Sequence, residues 1–214
     1  MNTHWAGSRA LRNGRLFRRA EAIVDAAASV FAERGYHGTS TQAIADVLGM
    51  RQASLYYYFP SKEAALERVC EQGVDGFVER AEAIAAGAGA PLAKLTLLIA
   101  AHLAPNEKKR DYVKVFINER RYLAEACRRR IARKARRIER CFAEVIQAGV
   151  DDGSIRAGTD VRLTMLAVLG MVNSVINWRQ DDQARDLRRI AAELGKLVVN
   201  GLAAPGTAYQ RKRP

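Results

Sequence analysis

Residues 40–62, STQAIADVLGMRQASLYYYFPSK, spell two short helices around a tight turn, followed at once by the start of a third. Ser40 is a strong N-cap, and Ile44, Ala45 and Leu48 then recur at helical spacing. Gly49 can take the left-handed backbone that ends a helix, so the chain turns there. The second helix is expected over 52–58, with Leu55 and Phe59 facing inward. Pro60 stops it, because proline disfavours helix in the residue before it, and Ser61 with Lys62 and Glu63 opens the next. Two helices joined by a short glycine turn make a helix-turn-helix, whose second helix enters the major groove of DNA.

Composition agrees with an all-α protein. The 214 residues are 49% hydrophobic with only five prolines, and Ala, Arg, Glu and Leu dominate the long runs. That is enough apolar material for a sizeable core in one large or two small domains. No apolar run long enough to span a membrane stands out, and MNTHWAGSRALRNGRLF lacks the apolar core of a signal peptide. Cys70, Cys127 and Cys141 fall inside helical patterns without metal-ligand spacing, so they are expected as reduced thiols in a cytosolic protein. Neither cofactor nor metal is expected. The net charge of +12 points to a polyanionic partner. Most of the excess lies outside the helix-turn-helix, since residues 107–140 hold fourteen Lys/Arg against five Asp/Glu.

Outward from the motif, five segments are expected: a disordered basic arm over 1–15, a DNA-binding domain over 16–62, a connecting helix and linker over 63–90, a C-terminal helical bundle over 91–203, and a disordered basic tail over 204–214. Arg9, Arg12, Arg15, Arg18 and Arg19 precede or open a first helix over 16–34, whose inward face is Ile23, Ala27, Val30 and Phe31 and whose stop is Gly35. Arginines there can meet phosphates or a minor groove. A single helix is expected over 61–86, with Leu66, Val69, Gly73, Phe77 and Ile84 inward, ended by the Gly/Ala/Pro linker over 87–91.

Candidate DNA contacts follow from position. Thr39, Ser40 and Thr41 stand where a helix start can meet a phosphate, besides plain capping. Arg51 can take both acceptors of a guanine, and Gln52 can do the same to an adenine. Ala53 permits close approach, and Ser54 shares the exposed face. Tyr56 and Tyr57 can hydrogen-bond phosphates, Tyr58 is expected to pack between helices, and Lys62 is placed for a phosphate.

In the second domain the stretch 92–103 is strongly apolar, and its His102 is expected as a satisfied core residue. Pro105–Asn106 should break that helix, and a helix over 107–122 should follow. The helix over 123–151 carries an apolar stripe of Cys127, Ile131, Ala135, Ile138, Phe142, Val145 and Gly149. Arg128, Arg129, Arg130, Arg133, Lys134, Arg136, Arg137 and Arg140 fill its other faces. This belt can be a solvated face, a long-range attraction to DNA, or a dock for an anionic ligand whose acyl part enters the apolar interior. Candidate pocket residues are Leu103, Phe116, Asn118, Arg121, Tyr122, Phe142, Leu169, Asn173 and Trp178. Helices over 160–178 and 184–202 close the chain. Leu163, Leu166, Gly170 and Ser174 on the first, with Leu187, Ile190, Leu194 and Leu197 on the second, either cover their own core or pair with a second copy.

The stretch GYHGTSTQAIADVLGMRQASLYYYFPSKEAAL, residues 35–66, resembles the N-terminal domain of the tetracycline-repressor (TetR) family. The matching positions are Phe31, Gly35, Tyr36, Thr39, Ser40, Ile44, Ala45, Gly49, Leu55, Tyr56, Phe59 and Lys62. Arg51, Ala53 and Tyr58 depart from it, as does Ala43, which lacks the carboxylate of a capping box; these departures bear on which DNA sequence is preferred. NERRYLAEACRRR (118–130) and LGMVNSVINW (169–178) resemble TetR-family regulators of lipid and steroid breakdown that sense acyl-CoA thioesters. The resemblance implies an N-terminal three-helix DNA-binding domain, a C-terminal ligand-binding and dimerisation bundle, and a phosphate contact from Lys62. The expected protein is therefore a bacterial cytoplasmic, nucleoid-associated homodimer: a repressor on a palindromic operator, released by a small-molecule effector such as an acyl-CoA. The alternatives are a non-specific architectural DNA binder, a helical ligand carrier or a membrane-surface protein. An enzyme is not expected, because His4, His37 and His102 are scattered and no acid/base set converges.

Overall fold

A computed structural model of the protein describes residues 4–104, 109–178 and 187–206, with backbone alone over 4–17. The described residues are helical apart from turns and one isolated antiparallel bridge between Ile155 and Ala203. The Pro105–Asn106 break, the side chains of His4, Arg9, Arg12 and Arg15, and the tail from 207 onward lie outside the described residues. Described residues among 1–73 and 108–131 form one compact unit, and those among 74–107 and 132–214 form a second.

The first unit is built on α1 (His4–Gly38). The backbone is already helical at His4, so the arm expected to be disordered over 1–15 instead extends this helix from His4 onward. Ile23, Ala27, Val30 and Phe31 are buried as their spacing requires. Gly35 interrupts the helix at φ 68°, a conformation costly for any residue with a Cβ. In α2 (Thr41–Val47) the Ser40 Oγ accepts the Ala43 N–H at 3.0 Å, and Ile44 and Ala45 are buried. Gly49 then turns at φ 60°, and the N–H of Met50 closes back on the Ala45 carbonyl at 3.0 Å. The recognition helix α3 is a single turn, Gln52–Leu55. Residues 56–58 continue as turns, shorter than the expected helix over 52–58. α4 (Lys62–Val74) follows, and the single helix expected over 61–86 is corrected: Gly76, at φ 80°, separates it from α5 (Phe77–Ala86).

Two helices later, α7 (Arg110–Glu119) returns to this first unit and packs on α1. Its Tyr112 hydroxyl donates to Asp25 Oδ1 at 2.6 Å. Gly73 explains how closely α7 meets α4. A Cβ there would stand 2.7 Å from the Tyr112 carbonyl oxygen and 3.0 Å from the Phe116 Cβ, so only glycine admits the contact. A 3-10 turn (Arg120–Tyr122) leads into α8 (Glu125–Asp151), whose first part completes the unit.

The second unit packs α5, α6 (Pro91–Leu103), the later part of α8, α9 (Val161–Trp178) and α10 (Leu187–Leu202) around one apolar core. Leu95, Leu98, Ile99, Phe142, Ile146 and Ile155 are its largest fully buried side chains. Ile155 fills the space beside Gly149, where a Cβ would come within 2.6 Å of it. Backbone bonds from Arg156 N–H to the Leu202 carbonyl and from Ala204 N–H to the Ser154 carbonyl, both 3.0 Å, fix the end of α10. The expectation that no stretch is apolar enough to span a membrane is also corrected. The 18 residues of α9 pass that test, with Arg162 their only charge, and its Met165, Val168, Leu169, Val172 and Val175 belong to the core of the second unit.

Candidate nucleic-acid interface and effector region

The recognition segment presents Arg51, Ala53, Ser54, Tyr56 and Tyr57 to solvent, Tyr57 at 81% exposure. Arg51 occupies the N-cap position, where its donor-only side chain cannot cap, and its guanidinium has no partner among the described residues, which leaves it for a base edge. Gln52 is half-buried, and its Nε2 donates to Thr41 Oγ1 at 2.7 Å. Thr41 Oγ1 also lies 3.3 Å from the Tyr56 hydroxyl. A polar chain from Gln52 through Thr41 to Tyr56 thus holds α3 against α2, and the side-chain amide oxygen of Gln52 (Oε1) has no partner among the described residues. Ser40 acts as the cap. Tyr58 meets Tyr57 edge-on and lines a groove between α1 and α4.

Two candidates face inward. Thr39 is only 3% exposed, and its hydroxyl donates to the Gly35 carbonyl at 2.7 Å, with the Val30 carbonyl at 3.3 Å. Its side chain closes the end of α1, and no surface remains for a phosphate. Lys62 donates to the carbonyls of Tyr36 and Thr39, both at 3.0 Å, and its ammonium lies 4.3 Å from the centre of the Tyr36 ring. An ammonium has three donors, so one is left for DNA.

Around Tyr36 the structure assembles a node that the linear sequence conceals. Tyr36 N–H donates to Glu119 Oε2 at 3.0 Å, and its hydroxyl donates to Glu63. Tyr122 stacks on the Tyr36 ring at 5.1 Å and meets His37 edge-on at 4.6 Å. Burial, and then the bond to Glu63, push the Tyr36 phenol up to about 12, while the Glu63 carboxyl is held below its ordinary value chiefly by that bond. The phenol is a fixed donor at neutral pH. The motif is therefore clamped by Glu119 and Tyr122, more than eighty residues downstream.

The basic belt is partly spent. In the first unit Arg130 pairs with Glu67 and Glu71. In the second, Lys134 pairs with Asp75 at 2.6 Å and Arg137 with Glu82 at 2.7 Å. The regular spacing of Glu67, Glu71, Asp75 and Glu82 was the sequence signal for this. Such exposed pairs contribute little to stability, but they remove these cations from ligand binding. Arg133, Arg136 and Arg140 have no ion-pair partner among the described residues.

The pocket candidates divide between the units. Phe116, Asn118, Arg121 and Tyr122 belong to the first; Leu103, Phe142, Leu169, Asn173 and Trp178 belong to the second. Within the second, Leu103, Phe142 and Leu169 lie in the buried cluster, and Asn173 Oδ1 is 2.9 Å from His102 Nε2. Trp178 is exposed. Of the interface candidates, Leu163, Leu166 and Leu197 are 64%, 50% and 62% exposed, and Gly170 has open space where a Cβ would stand. Leu187, Ile190, Leu194 and Ser174 are half-buried. The cysteines are buried and free, with burial pushing Cys70 up to about 12 and Cys127 up to about 11.

An all-helical chain with a capped helix-turn-helix and a separate apolar bundle defines a DNA-binding regulator of transcription. The family described as "Bacterial regulatory proteins, tetR family" matches residues 23–69, and "Tetracyclin repressor-like, C-terminal domain" matches residues 88–202. The chain belongs to the TetR family. It is 27% identical to the HTH-type transcriptional repressor KstR2 of Rhodococcus jostii, over 90% of this chain and 95% of that protein. Among solved structures it is similar to the transcriptional regulator FadR from Bacillus subtilis in complex with stearoyl-CoA (TM-score 0.67, 27% identity, 85% and 98% of the two chains). It is also similar to AibR in complex with isovaleryl coenzyme A and operator DNA (TM-score 0.75, 25% identity, 84% and 97%). The protein is a ligand-responsive regulator that acts on DNA in the cytoplasm, and it is not an enzyme.

Proposed function

We propose that this protein is a homodimeric repressor, associated with the nucleoid, that binds a palindromic operator and leaves it when a coenzyme A thioester enters the second unit. One observation carries the reading: similarity over more than four-fifths of the chain to two proteins whose structures hold coenzyme A thioesters, one of them with operator DNA as well. The exposed leucines of α9 and α10 support the dimer, because three large apolar side chains open to solvent gain from burial against a second copy. Such a dimer sets two recognition helices about 34–36 Å apart, one helical repeat of DNA. Arg51, Gln52, Ala53 and Ser54 read bases; Tyr56, Tyr57 and the spare donor of Lys62 hold phosphates. Arg133, Arg136 and Arg140 are the cations open to the phosphates of coenzyme A.

Linkage requires that effector and operator weaken each other by the same factor. Fluorescence anisotropy of DNA from upstream of the protein's own gene, titrated with butanoyl-, decanoyl- and stearoyl-CoA, tests this directly. Release by at least one thioester, with a matching rise in melting temperature of the free protein, is expected. Failure of all three to shift either signal overturns the effector reading.

A further inference from the structure

The apolar interior of the second unit holds one polar pair whose hydrogen bonding is unfinished. His102 on α6 and Asn173 on α9 share a single bond of 2.9 Å. The rings of Phe77 and Phe142 stand 5.6 and 6.2 Å from the imidazole, and Leu103 and Leu169 belong to the adjoining buried cluster. That one bond uses one ring nitrogen and one amide atom. The second ring nitrogen and the rest of the amide have no partner among the described residues. Whichever tautomer and amide orientation is taken, at least one donor and one acceptor are left over. Surplus capacity of this kind in an apolar setting is costly unless something occupies it.

Both residues keep part of their surface open. Yet burial is the main influence on the imidazole, lowering its pKa, with the bond to Asn173 acting in the opposite sense and Arg80 adding to the lowering. A half-buried imidazole held neutral in these surroundings offers hydrogen bonds without charge.

We propose that the His102–Asn173 pair is the polar recognition point of the effector site, receiving a neutral oxygen function, ketone or hydroxyl, on the acyl part of the effector. The inference rests on the coenzyme A thioester reading above and adds to it: the regulator sorts acyl groups by oxygenation. A saturated chain passing the pair leaves its donors and acceptors unmatched, whereas an oxygen at that point completes them.

Calorimetric titration of the full chain with decanoyl-CoA and with 3-oxo-, 6-oxo- and 9-oxodecanoyl-CoA decides the matter. At least one oxo compound is expected to bind about tenfold more tightly than decanoyl-CoA, the order of one hydrogen bond. That preference, read as the ratio of oxo- to plain decanoyl-CoA affinity within each variant, should vanish in Asn173→Leu and in His102→Phe. Equal binding of all four by the parent protein overturns the inference and leaves the thioester reading intact, with no variant needed. A preference that survives both substitutions overturns the assignment to this pair. Binding of none of the four overturns this inference, while the thioester reading is decided separately by the butanoyl- and stearoyl-CoA titrations above.

Discussion

Two faces of this molecule expose large side chains, and they do so in opposite chemical terms. The recognition segment shows solvent a guanidinium and two phenols, Arg51, Tyr56 and Tyr57, each with polar atoms that water satisfies until DNA replaces it. The exposed sides of α9 and α10 show Leu163, Leu166 and Leu197, which offer water nothing. The first face tolerates being open and binds reversibly. The second gains free energy when covered, so it suits a lasting contact between copies. A repressor needs both, because the permanent contact sets the spacing at which the reversible one is read.

Breaking the apolar face should have the largest effect. The double change Leu163→Glu, Leu166→Glu is expected to yield a folded monomer by analytical ultracentrifugation. Operator affinity should fall about 100-fold or more, as two half-sites become independent. A dimer that survives this change removes the contrast drawn here. On the polar face, Arg51→Ala should lower operator affinity about 10- to 100-fold and level the preference at one base pair, measured by anisotropy across single-base variants. Lys62→Met sharpens the comparison from inside the motif. Losing two bonds to carbonyls is expected to cost about 1–3 kcal/mol in urea unfolding, with the salt slope of DNA binding changed by no more than about one ion. Unaltered unfolding together with a reduced salt slope would make Lys62 a phosphate contact first.

Acid provides a smaller test in the second unit. The folded-state pKa of His102 is depressed, so below the ordinary value of 6.5 the unfolded chain takes a proton that the folded chain resists. Stability should therefore be complete above that pH and decline as pH falls beneath it. His102→Phe should flatten the decline in melting temperature, and an unchanged profile would place its cause elsewhere. Smallest of all, Tyr57→Phe removes one exposed hydroxyl. It should weaken operator binding about threefold through one phosphate bond, with the melting temperature unmoved.

The helix-turn-helix was legible because its signals are local. Ser40 caps a backbone N–H three residues away, and Gly49 turns where a left-handed residue is required. Its register follows from the spacing of Ile44, Ala45, Leu55 and Phe59. The same signals hid the break at Gly76, since a glycine within a helical pattern is as often carried along as used. Lys62 and Thr39 were placed correctly in the chain, but their partners are carbonyls at the end of α1, which periodicity does not reveal.

By itself, then, the sequence determined an all-helical chain, a capped DNA-reading motif near its start and an apolar bundle after it, since caps, turns and periodicity act within a few residues. Tertiary structure alone decided that α7 joins the DNA-binding unit, that Glu119 and Tyr122 clamp Tyr36, and that Arg130, Lys134 and Arg137 of the basic helix are matched by Glu67, Glu71, Asp75 and Glu82. Each of these pairs residues more than fifty positions apart. Such pairings are fixed by how helices pack, which no local pattern of residues encodes.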